Sequence, residues 1–125
     1  MFSLDPLKNA ISRLEEAFLA DYNSLIRDAT IQRFEYTYEL SWKTLKRYFK
    51  EFNSNDIDNA KNIWREAGKL GLIDSVEDWL GFHKARNMTS HMYSEKVADS
   101  VYQSAKDFLP RAKALLDQLE SSIDE

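Results

Sequence analysis

The stretch Ile31-Gln32-Arg33-Phe34-Glu35-Tyr36-Thr37-Tyr38-Glu39-Leu40-Ser41-Trp42-Lys43-Thr44-Leu45-Lys46-Arg47-Tyr48-Phe49-Lys50-Glu51-Phe52 decides the fold class. Within it Ile31, Phe34, Tyr38, Trp42, Leu45, Phe49 and Phe52 recur at steps of three and four. A helix of about 3.6 residues per turn brings such positions onto one face, whereas a half-buried strand would alternate. Neither Gly nor Pro interrupts about six turns, and the helix can begin after Asp28.

Similar stripes lie on both sides. Upstream, Leu7, Ile11, Leu14, Phe18, Tyr22 and Leu25 predict one helix, with Asp5 as its cap and Pro6 at its first position. Downstream, the turn formers Asn53-Ser54-Asn55-Asp56 precede a shorter helix carrying Ile57, Ala60, Trp64, Ala67 and Leu70, with Gly71 placed to end it. Asp74-x-x-Glu77 has capping-box spacing and opens a fourth helix bearing Val76, Trp79, Leu80 and Ala85. The apolar pattern lapses over Asn87–Tyr93. Ser94 can then cap a fifth helix with Val97, Val101, Ala105, Phe108, Ala112, Leu115 and Leu119, kinked by Pro110 near Asp107 and frayed over Ser121–Glu125. Short connections between amphipathic helices predict an all-α, antiparallel helical bundle of about five helices around a four-helix core. The expectation is a single domain over 1–125, ordered over about residues 4–120. A bulky aromatic stripe wider than one bundle can cover would favour a homodimer.

Composition narrows the function classes. In 125 residues, 43% apolar and 30% charged side chains argue against disorder and against a membrane span. The longest nonpolar run, Ala17-Phe18-Leu19-Ala20, is far shorter than the about 20 residues a spanning helix needs. Met1-Phe2-Ser3-Leu4-Asp5-Pro6 has neither a basic region nor an apolar stretch of the secretory kind, which predicts a cytoplasmic protein. The absence of Cys removes disulfides, thiolate nucleophiles and thiolate metal sites. A net charge of −4 confines any nucleic-acid contact to a local patch. Three Gly and two Pro are too few for the turns of a β-sandwich.

Several chemistries lack their residues. Leu80 and Met88 stand three positions before His83 and His91, so the Glu-x-x-His pairs of di-iron bundles are missing. No His-Glu-x-x-His or Gly-x-Ser-x-Gly occurs, and Gly68-Lys69-Leu70-Gly71 is not a phosphate loop. No metal and no cofactor is expected.

Two features can carry function. Lys43, Lys46, Arg47 and Lys50 share a flank of the second helix, where they could follow a phosphate backbone; a solvated helix face is the commoner meaning of such a row. The second is Arg86-Asn87-Met88-Thr89-Ser90-His91-Met92-Tyr93. On a continuous helix Arg86 and His91 would stand about 140° apart, so they converge only if the helix ends between them. An imidazole can move protons at neutral pH, and a guanidinium can hold a phosphate, which suits metal-free cleavage of RNA through its own 2′-hydroxyl. An ion-paired Arg beside a helix-capping His is the structural alternative. His83, three residues before Arg86, shares its face and could extend the same groove; a half-buried, hydrogen-bonded His is the commoner outcome, and it stays outside the catalytic set.

The block Ile31–Lys46, then Arg65-Glu66-Ala67-Gly68-Lys69-Leu70-Gly71-Leu72-Ile73, then Arg86–Tyr93 resembles the nucleotidyltransferase substrate-binding branch of the HEPN family, with an Arg-x4-His-x-Tyr motif. The resemblance implies an up-and-down helical bundle that dimerises. It further implies a toxin of a toxin–antitoxin pair, cutting RNA without a metal through Arg86 and His91, with Asn87 the polar residue beside the Arg. The implied partner is a cognate minimal nucleotidyltransferase, the antitoxin, which silences the toxin by transferring AMP to Tyr93. The branch's older name implies instead a non-catalytic subunit that binds the transferase. AMP on Tyr93 would place bulk and negative charge where RNA enters; a packed aromatic is the alternative for that residue.

Overall fold

The chain divides into α1 (Asp5–Leu19), α2 (Ser24–Asn53), α3 (Ala60–Lys69), α4 (Val76–Asn87) and α5 (Glu95–Asp124), with a 3₁₀ turn at Met88–His91 between the last two; polar side chains cap the start of each α-helix after the first. This computed structural model describes residues 2–124. The described residues contain helices and no strand, as the apolar periodicity predicts. None of these helices is long and apolar enough to cross a membrane.

The first stripe is not one helix. Asn23 adopts an extended backbone and accepts a hydrogen bond from the Ile26 amide at 2.8 Å, which starts α2 at Ser24 rather than after Asp28. Tyr22 and Leu25 therefore leave the face of α1, and both are exposed. Tyr22 packs instead against Tyr102 of α5, ring centroids 5.3 Å apart. Asp5 is the first helical residue rather than the cap, with Leu4 before it.

Two further starts move for the same reason: a side-chain oxygen one or a few residues away outcompetes apolar periodicity. Asn59 accepts from the Asn62 amide at 2.9 Å, so α3 opens at Ala60 and Ile57 stays in the preceding loop. Ser75, not Asp74, caps α4 by accepting from the Asp78 amide at 3.1 Å. Gly71 does end the α3 segment, at φ 76°, while the Leu72 amide reaches back to the Ala67 carbonyl at 2.9 Å. Ser94 caps α5 as expected. That helix runs through Pro110 and stays helical to Asp124 instead of fraying at Ser121; Glu125 lies outside the described residues.

α2 is about 45 Å long and packs against every other α-helix. An aromatic plug joins four of them. Phe108 of α5 meets Phe34 of α2 and both Trp79 and Phe82 of α4 edge-on, while Trp79 stacks on Trp64 of α3 at 4.2 Å. Edge-on and offset pairs of this kind add to plain area burial. α3 and α4 are thereby pinned to the middle of α2, beside Tyr38 and Glu39.

A second clamp fixes the start of α5. The buried Arg27 guanidinium of α2 bonds Glu95 at 2.6 Å, Asp99 at 3.1 Å and its neighbour Asp28 at 3.0 Å. Hydrogen bonding to Arg27 and its charge hold the Glu95 carboxyl below the ordinary 4.5. A depressed carboxyl stabilises the fold above its ordinary value, and that contribution is lost as pH falls through the folded value. Arg27→Met should therefore lower Tm at pH 7, and the gap to the parent should narrow as pH drops from about 5 to 3. Thermal melts across that range check this; a gap that widens on acidification contradicts it.

Candidate functional site

The site forms where α4 gives way to the 3₁₀ turn. Thr89 Oγ1 donates to the Arg86 carbonyl at 2.7 Å and Ser90 Oγ to the Asn87 carbonyl at 3.1 Å. These hydroxyls occupy carbonyls that a continuing helix would use, so the α-helix stops at Asn87. The tighter turn carries the chain to His91, whose carbonyl accepts from the Ser94 amide at 3.2 Å, and into α5. The turn rests on both α4 and α5.

The α-helix thus ends between Arg86 and His91, as their convergence requires, but no hydrogen bond joins the two within the chain. Arg86 is half-buried, and its Nε donates to Oε1 of Glu39 on α2 at 3.0 Å. The other oxygen of that carboxylate accepts from Trp42 Nε1 at 3.2 Å, and Lys43 Nζ stands 3.9 Å away. Among the described residues the two terminal nitrogens of Arg86 have no protein partner. His91 is exposed, and its ring meets that of Tyr93 edge-on at 6.2 Å. Tyr93 is 87% exposed, which excludes the packed-aromatic alternative within this chain. Asn87, the last residue of α4, is exposed beside Arg86.

The basic row divides. Lys46 Nζ donates to the Ile57 carbonyl at 2.8 Å and to Asp56 at 3.2 Å, so it fastens the loop after α2 and is not free for a phosphate. Lys43 lies over the Trp42 ring and Arg47 over the Phe2 ring. Lys50 is exposed.

A buried relay lies behind Arg86. Trp64 Nε1 donates to the Tyr38 hydroxyl at 3.0 Å, and that hydroxyl lies 2.7 Å from His83 Nδ1. Burial drives the Tyr38 phenol well above its ordinary value. Burial first, then the charge of Lys61, pushes His83 down; Glu39 opposes and Arg86 adds to the fall.

Sequence reasoning missed Glu39 as a site residue. Its place beside the apolar stripe, with Trp42 three and Lys43 four residues on, was visible; its partner 47 residues away was not. Among the described residues no three His, Asp or Glu side chains are grouped to hold a metal ion.

Comparison with known proteins adds to this geometry. Residues 3–121 match the family model described as nucleotidyltransferase substrate binding protein like. The chain belongs to that family. It is the branch that Ile31–Lys46, Arg65–Ile73 and Arg86–Tyr93 together resemble. A Haemophilus influenzae protein named as a probable ribonuclease HepT is 39% identical over 104 residues, covering 77% of this chain and 71% of that protein. A Haemophilus influenzae structure, described as revealing the fold of a substrate binding domain of a nucleotidyltransferase, superposes with TM-score 0.84 at 34% identity, covering 94% of this chain and 99% of that one. A crystal structure from Thermus thermophilus superposes equally well, TM-score 0.84 at 34% identity over 90% of this chain and 98% of its own. These solved structures share the helical fold.

The two α2 residues that grip α4 should differ in energetic weight. Glu39→Gln weakens a half-exposed ion pair and should cost no more than about 1 kcal/mol. Tyr38→Phe leaves the buried Trp64 N–H unpaired and should cost about 1–3 kcal/mol. Urea unfolding of both variants tests the ordering, and a larger loss from Glu39→Gln contradicts it.

Proposed function

We propose that this chain is a HEPN-type toxin, a metal-independent endoribonuclease acting as a homodimer and silenced when a cognate nucleotidyltransferase adds AMP to Tyr93. The observation that carries this reading is the state of Arg86. Its guanidinium is fixed through Nε by Glu39, its terminal nitrogens bond no other described residue, and the exposed His91 and Tyr93 follow it across the 3₁₀ turn. A guanidinium held in this way presents its remaining donors to a phosphate with little reorganisation. The relative named as a probable ribonuclease supports the same activity.

In the proposed reaction the 2′-hydroxyl oxygen bonds to phosphorus, and its proton passes to an imidazole. The bond from phosphorus to the 5′ oxygen breaks, and that oxygen takes a proton from a second imidazole. The products are a 2′,3′-cyclic phosphate and a 5′-hydroxyl. Two protomers facing across a two-fold axis supply both imidazoles as two copies of His91. Arg86 offsets the charge that builds on the phosphate oxygens, with Asn87 beside it. Lys43, Arg47 and Lys50 remain candidates for contacts along the strand.

Tyr93 suits modification because its hydroxyl stands in solvent two residues after the proposed general acid–base. In the transfer, the phenol oxygen gives up its proton to solvent and bonds to the α-phosphorus of ATP, while the bond from that phosphorus to the oxygen bridging the β-phosphorus breaks and pyrophosphate leaves. The AMP then repels RNA by charge and blocks it by bulk. A second reading, a non-catalytic subunit that binds the transferase, is favoured by the description of the Haemophilus structure and by the net charge of −4.

Cleavage assays with EDTA present separate the two readings. The toxin reading expects cyclic phosphate ends and a fall of roughly 100-fold or more in His91→Ala. Tyr93→Phe should keep cutting RNA yet gain no AMP mass when incubated with the transferase and ATP. Intact RNA at every protein concentration, together with a stable transferase complex, would overturn the nuclease reading in favour of the second.

A further inference from the structure

Adjacent α2 residues grip two residues of one face of α4. Glu39 holds Arg86, and Tyr38 holds His83. His83 lies one turn before Arg86, with their Cβ atoms about 5–6 Å apart by helix geometry.

The hydrogen-bond logic of the relay fixes the state of His83. An indole N–H can only donate, so the Tyr38 hydroxyl accepts from Trp64. The single hydroxyl proton then needs an acceptor, and His83 Nδ1 at 2.7 Å is the one that the structure provides. Nδ1 is therefore the bare nitrogen, and Nε2 carries the proton. Nε2 itself bonds no protein atom, while no buried side-chain nitrogen or oxygen among the described residues lacks a partner. Hence Nε2–H opens to solvent. Burial and the nearby Lys61 and Arg86 oppose protonation at Nδ1, with Glu39 the one charge that favours it.

We infer that His83 is an RNA-binding residue, whose Nε2–H donates to the phosphodiester next to the one that Arg86 holds. The inference rests on the ribonuclease reading and deepens it. A ring locked neutral, with its bare nitrogen occupied by a buried phenol, is a poor proton shuttle. It is a well-fixed hydrogen-bond donor. That assigns the two histidines different work: His91, exposed and unclamped, moves protons, and His83 positions the strand. Placing the donor costs no ordering at binding, because Tyr38 and Trp64 have already oriented the ring.

The test combines kinetics with ¹⁵N NMR of the His83 ring, using a short single-stranded RNA. The ring should show the Nε2–H tautomer in the free protein. Its Nε2 resonance should shift when the same RNA, lacking the 2′-hydroxyl at the cleavage site, is added. His83→Phe should raise KM about tenfold, the loss of one hydrogen bond to a charged group, with kcat changing less. His83→Gln, which restores an N–H donor, should recover most of that loss. Circular dichroism identifies a variant that fails to fold, and the NMR arm on the parent then decides. An Nδ1–H tautomer, an unmoved Nε2 resonance, or parental KM in a folded His83→Phe that still cuts RNA would overturn this inference and leave the nuclease reading standing. A parent chain that neither binds nor cuts RNA removes both.

Discussion

A single carboxylate on α2 sets the orientation of the guanidinium on which the site depends. Glu39 takes the Nε of Arg86 with one oxygen and the indole of Trp42 with the other, which biases both side chains toward one orientation. Lys43 keeps a positive charge on the solvent side of the same carboxylate. The result is an arginine tethered by its inner nitrogen and open at its outer two. Without the tether the long side chain would lose rotamer freedom each time it met an anion.

That tether is only as stiff as the packing of α2 against α4, and the packing is aromatic. Trp64, Trp79, Phe82 and Phe108 lock α3, α4 and α5 around the segment that carries Phe34, Tyr38 and Glu39. Arg27 secures the other end of the turn by holding Glu95 and Asp99 at the start of α5. The turn from Met88 to His91 is therefore suspended between two fixed helix ends, both referenced to α2. Its own side chains are left exposed or half-exposed. The pattern places rigidity in the helices and access in the turn.

Much of this is legible in the chain. The stripe from Ile31 to Phe49 announces a long helix, and Gly71 and Ser94 mark real boundaries. Boundaries set by asparagine and serine caps were harder, because Asn23, Asn59 and Ser75 act through one local hydrogen bond that periodicity does not register. Tyr22 and Leu25 fell into helical register with α1 by coincidence, across a link that the apolar spacing could not reveal. The motif Arg86–Tyr93 stood out by residue type and by family likeness. The partners that give it shape did not: Glu39 and Tyr38 lie more than forty positions away, and their pairing is a product of helix packing. Lys46 shows the converse, a residue that reads as a surface cation and is spent on closing a loop.

The most direct measurement is a crystal structure of the chain with a short RNA whose reacting nucleotide lacks its 2′-hydroxyl. A phosphate should sit against both terminal nitrogens of Arg86 while Nε stays on Glu39. An imidazole of His91, from the same or the partner subunit, should lie about 2.6–3.2 Å from an oxygen that gains or loses a proton. A strand bound on another face, or an Arg86 that leaves Glu39 and points away from the phosphate, would contradict that arrangement.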